Sequence, residues 1–376
     1  MYELKTLFYQ GDKNILLLRI TCLGWLFAKV LSWRIWTTNR LLPTAPVFEW
    51  LDYTPAIIHT VLFATSLLLL ILLLFLQKNK LCLIGLLGVE VVLCLLDQNR
   101  LLPWEYQYLF TIFIFIINSK NQKHIPSVIT FLLVSTYFYS GLSKLNESFL
   151  QTVWSRMMLK AFFRIPANIT AQNWVHYSGY LLGAIELLAA VGLLFVKTQV
   201  KSVWVLILMH LFILLLLGPF GLHGYRVLWP WNISMILFLV TIFLVKDDGT
   251  IVFDSITMGW NKVVILFWGI LPAFSFFGYW DKNLSSNLFS ADVPKMTICV
   301  RDTSACKPLQ RFCYKKDTPN TCKGLAKIDI QNWAISETSV SAYPEIRVYK
   351  RMQAKLEKQY ATAGLNFVYF IHWDKN

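Results

Sequence analysis

The chain has 376 residues, 56% hydrophobic and only 15% charged, with a mean hydropathy of +0.52, far from the roughly one-quarter charged content of soluble domains. This composition excludes an ordinary water-soluble enzyme and predicts a polytopic membrane protein. The net charge of +14 does not point to nucleic acid, because the basic residues are spread over connecting loops and a basic tail.

The first apolar run, 15–33, contains Arg19 and lacks a small-residue cleavage site, so it reads as a retained helix rather than a signal peptide. Further apolar runs follow at 56–77, 81–97, 106–118, 125–142, 174–196, 202–221, 227–245 and 263–280, giving about nine transmembrane helices. A perpendicular crossing needs ~20 residues, so the third and fourth runs are short and are expected to be broken or, in one case, re-entrant.

Between the fifth and sixth runs, Phe149–Arg164 places Arg156, Lys160 and Arg164 on one face, largely opposite Trp154, Met157, Met158, Ala161 and Phe162. That is the pattern of an amphipathic helix lying in the membrane interface and ended by Pro166. Beyond about Asp281 charged residues become frequent. The chain therefore divides into a membrane domain, 1–280, and a small soluble domain, 281–376.

In the tail, Met296–Val300, Arg311–Tyr314 and Ala326–Ile335 read as strands, Pro344–Tyr360 as a helix and Asn366–Trp373 as a final strand. The predicted fold class is an all-α membrane bundle carrying a small C-terminal α+β extracytoplasmic domain. Arg347, Arg351 and Lys355 form a basic stripe at helical spacing, suited either to anionic headgroups or to an ordinary solvated face. The Asn-x-Ser/Thr triplets at Asn146, Asn168, Asn232 and Asn283 are too common by chance to identify a compartment.

Lysines cluster in alternate short loops (Lys78 and Lys80, Lys120 and Lys123, Lys197 and Lys201, Lys246 and Lys262), which together with Lys5 and Lys13 favour a cytoplasmic N-terminus. With an odd number of crossings the tail then lies outside, in the periplasm of a bacterial inner-membrane protein. Four of the seven cysteines (Cys299, Cys306, Cys313 and Cys322) sit in the tail, as in a disulfide-stapled domain of an oxidising compartment. Free thiols are the first alternative. Zinc is the weaker one, because no CxxC pair occurs and no metal is predicted.

Polar residues inside apolar runs carry the functional expectation. Lys144 closes the run Thr136–Leu145, and Tyr137, Gly141 and Lys144 share one helical face, with the small Gly141 permitting close approach of a helix or ligand. Glu90, Glu186 and His210 lie at mid-depth of their runs; Glu186 is a chemically sensible partner for Lys144 or His210, and Glu90 reads as a helix-packing group. Asp97, Arg100, Trp104, Gln107, Lys144, His223 and Arg226 are expected at the outer end of the bundle, although Arg100, Arg226 and Lys144 also suit simple snorkelling to headgroups, and His210 also suits a satisfied core histidine. A lysine withdrawn from water is disfavoured as an ammonium and can serve as a general base. Such a pocket suits proton abstraction from a membrane-borne phenol or quinol. No HxxxH, CxxC or GxSxG motif appears in the runs.

The segment Tyr-Phe-Tyr-Ser-Gly-Leu-Ser-Lys144-Leu-Asn resembles the part of the HTTM (horizontally transferred transmembrane) domain that carries the base lysine of vitamin K-dependent γ-carboxylase. Leu-Asp97-Gln-Asn-Arg-Leu-Leu-Pro-Trp104, Leu-Leu-Gly-Ala-Ile-Glu186-Leu and Met-His210-Leu-Phe match further segments in the same order, over about residues 10–280. The resemblance implies a reduced quinone of the vitamin K or menaquinol type as cofactor and Lys144 as its base, with His210 assisting nearby. Two departures stand out. Tyr106 and Gln107 occupy the place of a family histidine, and a short cysteine-bearing tail replaces the carboxylases' large lumenal region.

The leading expectation is thus an oxygenase- or carboxylase-like enzyme using a lipidic quinol, with Lys144, His210 and Glu186 catalytic and Arg100, Trp104, Tyr137, Gly141, His223 and Arg226 binding substrate. The alternative is a non-catalytic membrane anchor presenting the disulfide-bonded domain to a periplasmic or envelope partner. A proton-coupled transporter is a third reading, weakened by the lack of internal repeats. The expected partners are membrane lipids, a lipidic quinol and an envelope protein, and no nucleic acid.

Overall fold

A computed structural model describes residues 13–77, 79–222, 225–245, 253–314 and 321–370. The apolar runs form helices: α1 (Lys13–Leu31), α2 (Ala56–Phe75), α3 (Lys80–Leu96), α4 (Pro103–Ile117), α5 (Gln122–Ser143), α6 (Leu150–Phe162, of π type), α7 (Asn173–Gly192), α8 (Val196–Leu217), α9 (Leu228–Leu244) and α10 (Asn261–Phe277). Five of them, α1, α2, α5, α7 and α8, are long and apolar enough to cross a membrane. The expected nine crossings are not confirmed. Helices α3 and α4 have 17 and 15 residues, and α9 and α10 also fall short of the ~20 a perpendicular crossing requires.

Contacts within the chain divide it into two units. One comprises the chain up to Ala28, Ser66–Val89 and Pro103–Ala291; the other comprises Lys29–Thr65, Glu90–Leu102 and the chain from Asp292 onward. The second unit therefore draws on two segments far upstream of the tail.

In the first unit, small residues set the packing. A Cβ placed on Gly141 of α5 would lie 2.6 Å from the Leu187 nitrogen and 2.8 Å from the Gly183 oxygen of α7, and one on Gly183 would lie 2.9 Å from the Gly141 oxygen. Each glycine makes room for the other's backbone, the device by which small residues bring membrane helices together. Buried hydrogen bonds tie other helices: Trp25 donates to Glu105 at 2.6 Å, Tyr108 to Ser234 at 3.0 Å and Trp231 to Gln107 at 2.8 Å. Gln107 thus serves helix packing.

Helix α6 keeps Arg156 and Lys160 exposed and buries Leu150, Val153, Met158 and Leu159; Arg164, also exposed, lies beyond its end. Its apolar side packs with Leu216 and Leu217 of α8 rather than lying wholly on lipid.

The second unit is built on a three-stranded antiparallel sheet of order β2-β1-β3, from β1 (Lys295–Val300), β2 (Ala326–Asp329) and β3 (Leu365–Phe370). Ile298 faces Ile328 on one neighbour and Phe367 on the other. Asp329 ends β2 by capping α11 (Ile330–Thr338), its carboxylate accepting from Asn332 N at 2.9 Å, so the long strand expected over 326–335 breaks there. The strand expected at Arg311–Tyr314 is instead the end of a 3-10 segment, Ser304–Phe312, followed by a single bridge from Tyr314 to Lys327. Helix α12 (Ile346–Gln359) buries Val348, Tyr349, Met352 and Leu356 as one face.

The basic stripe has a third use. Arg351 donates to the Pro46 carbonyl at 2.6 Å, and Lys355 donates to the Thr44 carbonyl at 2.8 Å, to the Thr44 hydroxyl at 2.9 Å and to Asp52. Two of its three members fasten the loop between α1 and α2. Glu337 works alongside them, accepting from the Leu41 and Leu42 amides at 2.7 and 2.9 Å and from the Trp333 indole at 2.8 Å.

Of the four tail cysteines, Cys299 and Cys322 form a disulfide with Cα atoms 5.4 Å apart. Cys306 and Cys313 are free thiols, so one bridge is present where all four cysteines were candidates.

Candidate functional site

Lys144 follows the last residue of α5, where the final carbonyls of a helix lack intrahelical donors and a cation is favoured by the helix dipole. Its ammonium group turns back to the Ser140 carbonyl at 3.1 Å and the Ser140 hydroxyl at 2.6 Å, and reaches the Glu186 carboxylate at 2.7 Å. Three donors meet three acceptors. The pairing follows from the glycine crossing: Gly141 and Lys144 are three residues apart on α5, as are Gly183 and Glu186 on α7. Lys144 Cβ lies 3.1 Å from a Cβ placed on Gly183, and its side chain turns back along α5 toward Ser140 to reach Glu186. Lysine and glutamate side chains are 13% and 5% exposed.

Both lie in the wall of a cavity of about 300 Å³, within the range of small-molecule sites. The wall is mainly apolar: Val153, Met157 and Met158 from α6, Met209 and Ile213 from α8, and Met235 from α9. Methionine walls adapt their shape to an apolar guest.

A second polar station lines the same cavity. Tyr137 Oη lies 2.8 Å from His210 Nε2, and His210 Nδ1 lies 2.8 Å from Asn232 Oδ1. Asn232 Nδ2 donates to the Leu228 carbonyl at 2.8 Å, which leaves Oδ1 as the face turned to the imidazole. His210 Nδ1 therefore carries the proton, and Nε2 accepts from the Tyr137 hydroxyl. The chain Tyr137–His210–Asn232–Leu228 runs in one donor direction and is anchored on backbone. It fixes the tautomer and orientation of the imidazole and leaves Nε2 facing the Tyr137 hydroxyl.

The expected site residues separate into groups. Lys144, Glu186, His210 and Tyr137 line the cavity, and Gly141 sets the crossing that assembles it. Trp104 is buried edge-on to Tyr108 in helix packing, and Arg226 is exposed; neither lines the cavity. Arg100 belongs to the second unit, where its guanidinium is fully engaged by the Ile35 carbonyl at 3.0 Å, the Leu93 carbonyl at 3.1 Å and His59 Nδ1 at 2.9 Å. It is a structural tie, not a free cation awaiting substrate. Asp97 is likewise tied, accepting from the Ala45 amide at 3.0 Å and paired with Arg40. His223 lies outside the described residues.

Two participants escaped the sequence reading. Ser140 stands one turn before Lys144, a spacing that places it against the amine. Asn232 had been noted only within an Asn-x-Ser triplet, yet a buried asparagine in an apolar helix is itself a sign of an internal hydrogen bond.

Glu90, read as a packing group, forms an ion pair with Lys29 at 2.7 Å, both side chains fully buried and the ammonium 3.2 Å from the Trp36 ring centroid. No protein-family model, curated protein or solved structure matches the chain.

Proposed function

We propose that this integral membrane protein is an HTTM-type enzyme that binds a lipidic quinol in the cavity and uses Lys144 as its base. One observation carries the reading: an ion pair, Lys144–Glu186, stands in the wall of an apolar chamber beside a second, backbone-anchored polar station. The donor set suits the guest. Methionine and aliphatic walls accept a prenylated ring, while Ser140, Tyr137, Lys144 and Glu186 offer donors and acceptors for ring oxygens.

A bound quinol supplies an ionisable hydroxyl and reducing equivalents toward dioxygen. The protein supplies the proton handling. Lys144 accepts a proton only after its own has moved to Glu186, and the 2.7 Å contact makes the two carboxylate–amine partners a single proton-holding unit. Ser140 holds the amine in place through that exchange, and His210 with Tyr137 presents a second proton position. The carboxylase-like second step, proton abstraction from another substrate, follows from the resemblance alone.

The loop lysines and the Cys299–Cys322 disulfide support a cytoplasmic N-terminus and a C-terminal unit on the oxidising side of a bacterial inner membrane. Native lipid extraction of the purified protein should yield a quinone, and Lys144→Ala should abolish quinol-dependent oxygen uptake; unchanged uptake would remove the mechanism.

The anchor reading draws support from the disulfide-bearing second unit. It predicts the reverse: Lys144→Ala is silent, while loss of Cys299 destroys the interaction with an envelope partner.

A further inference from the structure

The segment that joins α1 to α2 exposes large aromatic side chains: Trp33 (47%), Phe48 (49%), Trp50 (68%) and Tyr53 (87%). Large aromatic groups left in water are costly, since burying apolar surface is favourable. Phe48 and Trp50 stack with ring centroids 6.0 Å apart, on a 3-10 turn spanning Glu49–Tyr53.

The turn is held, not loose. Arg351 and Lys355 grip it through Pro46, Thr44 and Asp52, the Val47 amide donates to Leu95 O at 2.9 Å, and Gln98 N donates to Ala45 O at 2.9 Å. Lys355 also neutralises Asp52, a carboxylate that would otherwise repel anionic headgroups. Position adds the decisive constraint. Trp33 follows the end of α1 directly, and the turn passes through Thr54 and Pro55 into α2, whose first residues Ile57 and Val61 are themselves exposed. Both flanking helices are long and apolar enough to span the bilayer, so the connecting segment emerges at one membrane–water boundary.

We infer that the aromatic turn Phe48–Tyr53, with Trp33, is a membrane-contacting foot of the second unit, seated in the phospholipid headgroup layer. Tryptophan and tyrosine prefer that layer because their rings are apolar at one end and polar at the other. The basic residues of α12 serve the membrane indirectly, by clasping the foot. This inference does not depend on the quinol reading.

The test uses the full-length protein labelled with 5-fluorotryptophan in phosphatidylcholine nanodiscs, the Trp50 resonance being identified by its loss in Trp50→Phe. Lipid carrying a nitroxide near the headgroup should broaden that resonance severalfold more than a soluble gadolinium chelate does. Stronger broadening by the chelate would place Trp50 in free water and overturn the proposal. Broadening by neither would mean that protein, such as a second copy, covers the turn, and would overturn it equally. Should Trp50→Phe fail to fold, the Trp33 resonance, identified through Trp33→Phe, carries the same expectation and the same refutation.

Discussion

Two lysine–glutamate pairs have the same 2.7 Å separation and different surroundings. Lys29–Glu90 is sealed, with both side chains fully buried and an indole face over the cation; Lys144–Glu186 borders a cavity and keeps a measure of access. A sealed pair can only stabilise or destabilise a fold, whereas a pair at a chamber wall can exchange a proton with a guest. An acidic residue in an apolar run therefore marks neither role by itself. The space beside it decides.

Activity should break the comparison most sharply. On the proposed mechanism, Lys144→Ala lowers quinol-dependent oxygen uptake by ~10²-fold or more, the scale of a lost general base, while Lys29→Met paired with Glu90→Leu leaves uptake intact. Stability reverses the order. Lys29→Ala strands a buried carboxylate and should cost about 3–5 kcal/mol in thermal or denaturant unfolding, whereas the double replacement by apolar residues should recover most of that loss. Cys299→Ser, which opens the loop closed across a separation of 23 residues, should cost about 3 kcal/mol by the same measurement.

Gly141→Ala comes next. Its methyl would meet α7 backbone at 2.6 Å, which should cost about 1–3 kcal/mol and separate Lys144 from Glu186, lowering activity with the fold retained. The smallest effect is kinetic. Burial, with a lesser contribution from Asp302, pushes the Cys306 thiol up from its ordinary range, so less thiolate is present at mild alkaline pH. Alkylation without reductant should label Cys306 and Cys313 but not Cys299 or Cys322, with Cys306 slower than an exposed cysteine and speeding up as pH rises.

Much of the helical unit was legible because hydropathy is a local property. Each apolar run became a helix, and the Gly141/Lys144 face pointed to a crossing and a partner. What failed was non-local. Glu90 finds Lys29 across 61 residues, and nothing in either segment announces the other. The clasp of α12 on Pro46 and Thr44, and the engagement of Arg100 by Ile35, Leu93 and His59, likewise depend on segments brought together by folding. Arg100 looked like a substrate-binding cation because two of its three partners are carbonyls, which every residue carries and no sequence pattern displays.

Leu41 and Leu42 depend on Glu337 across 296 and 295 residues, Asn99 on Tyr343 across 244, and Thr44 on Lys355 across 311. At a translation rate of ~5–20 residues per second, these early segments leave the ribosome roughly 12–60 s before their counterparts exist. During that interval their amides and carbonyls have only water or lipid headgroups to answer them. A premature stop ahead of residue 337 would make that condition permanent, presenting cellular surveillance with a well-inserted but half-built polypeptide. The segment 337–355 is consequently a keystone of assembly, not a detachable appendage.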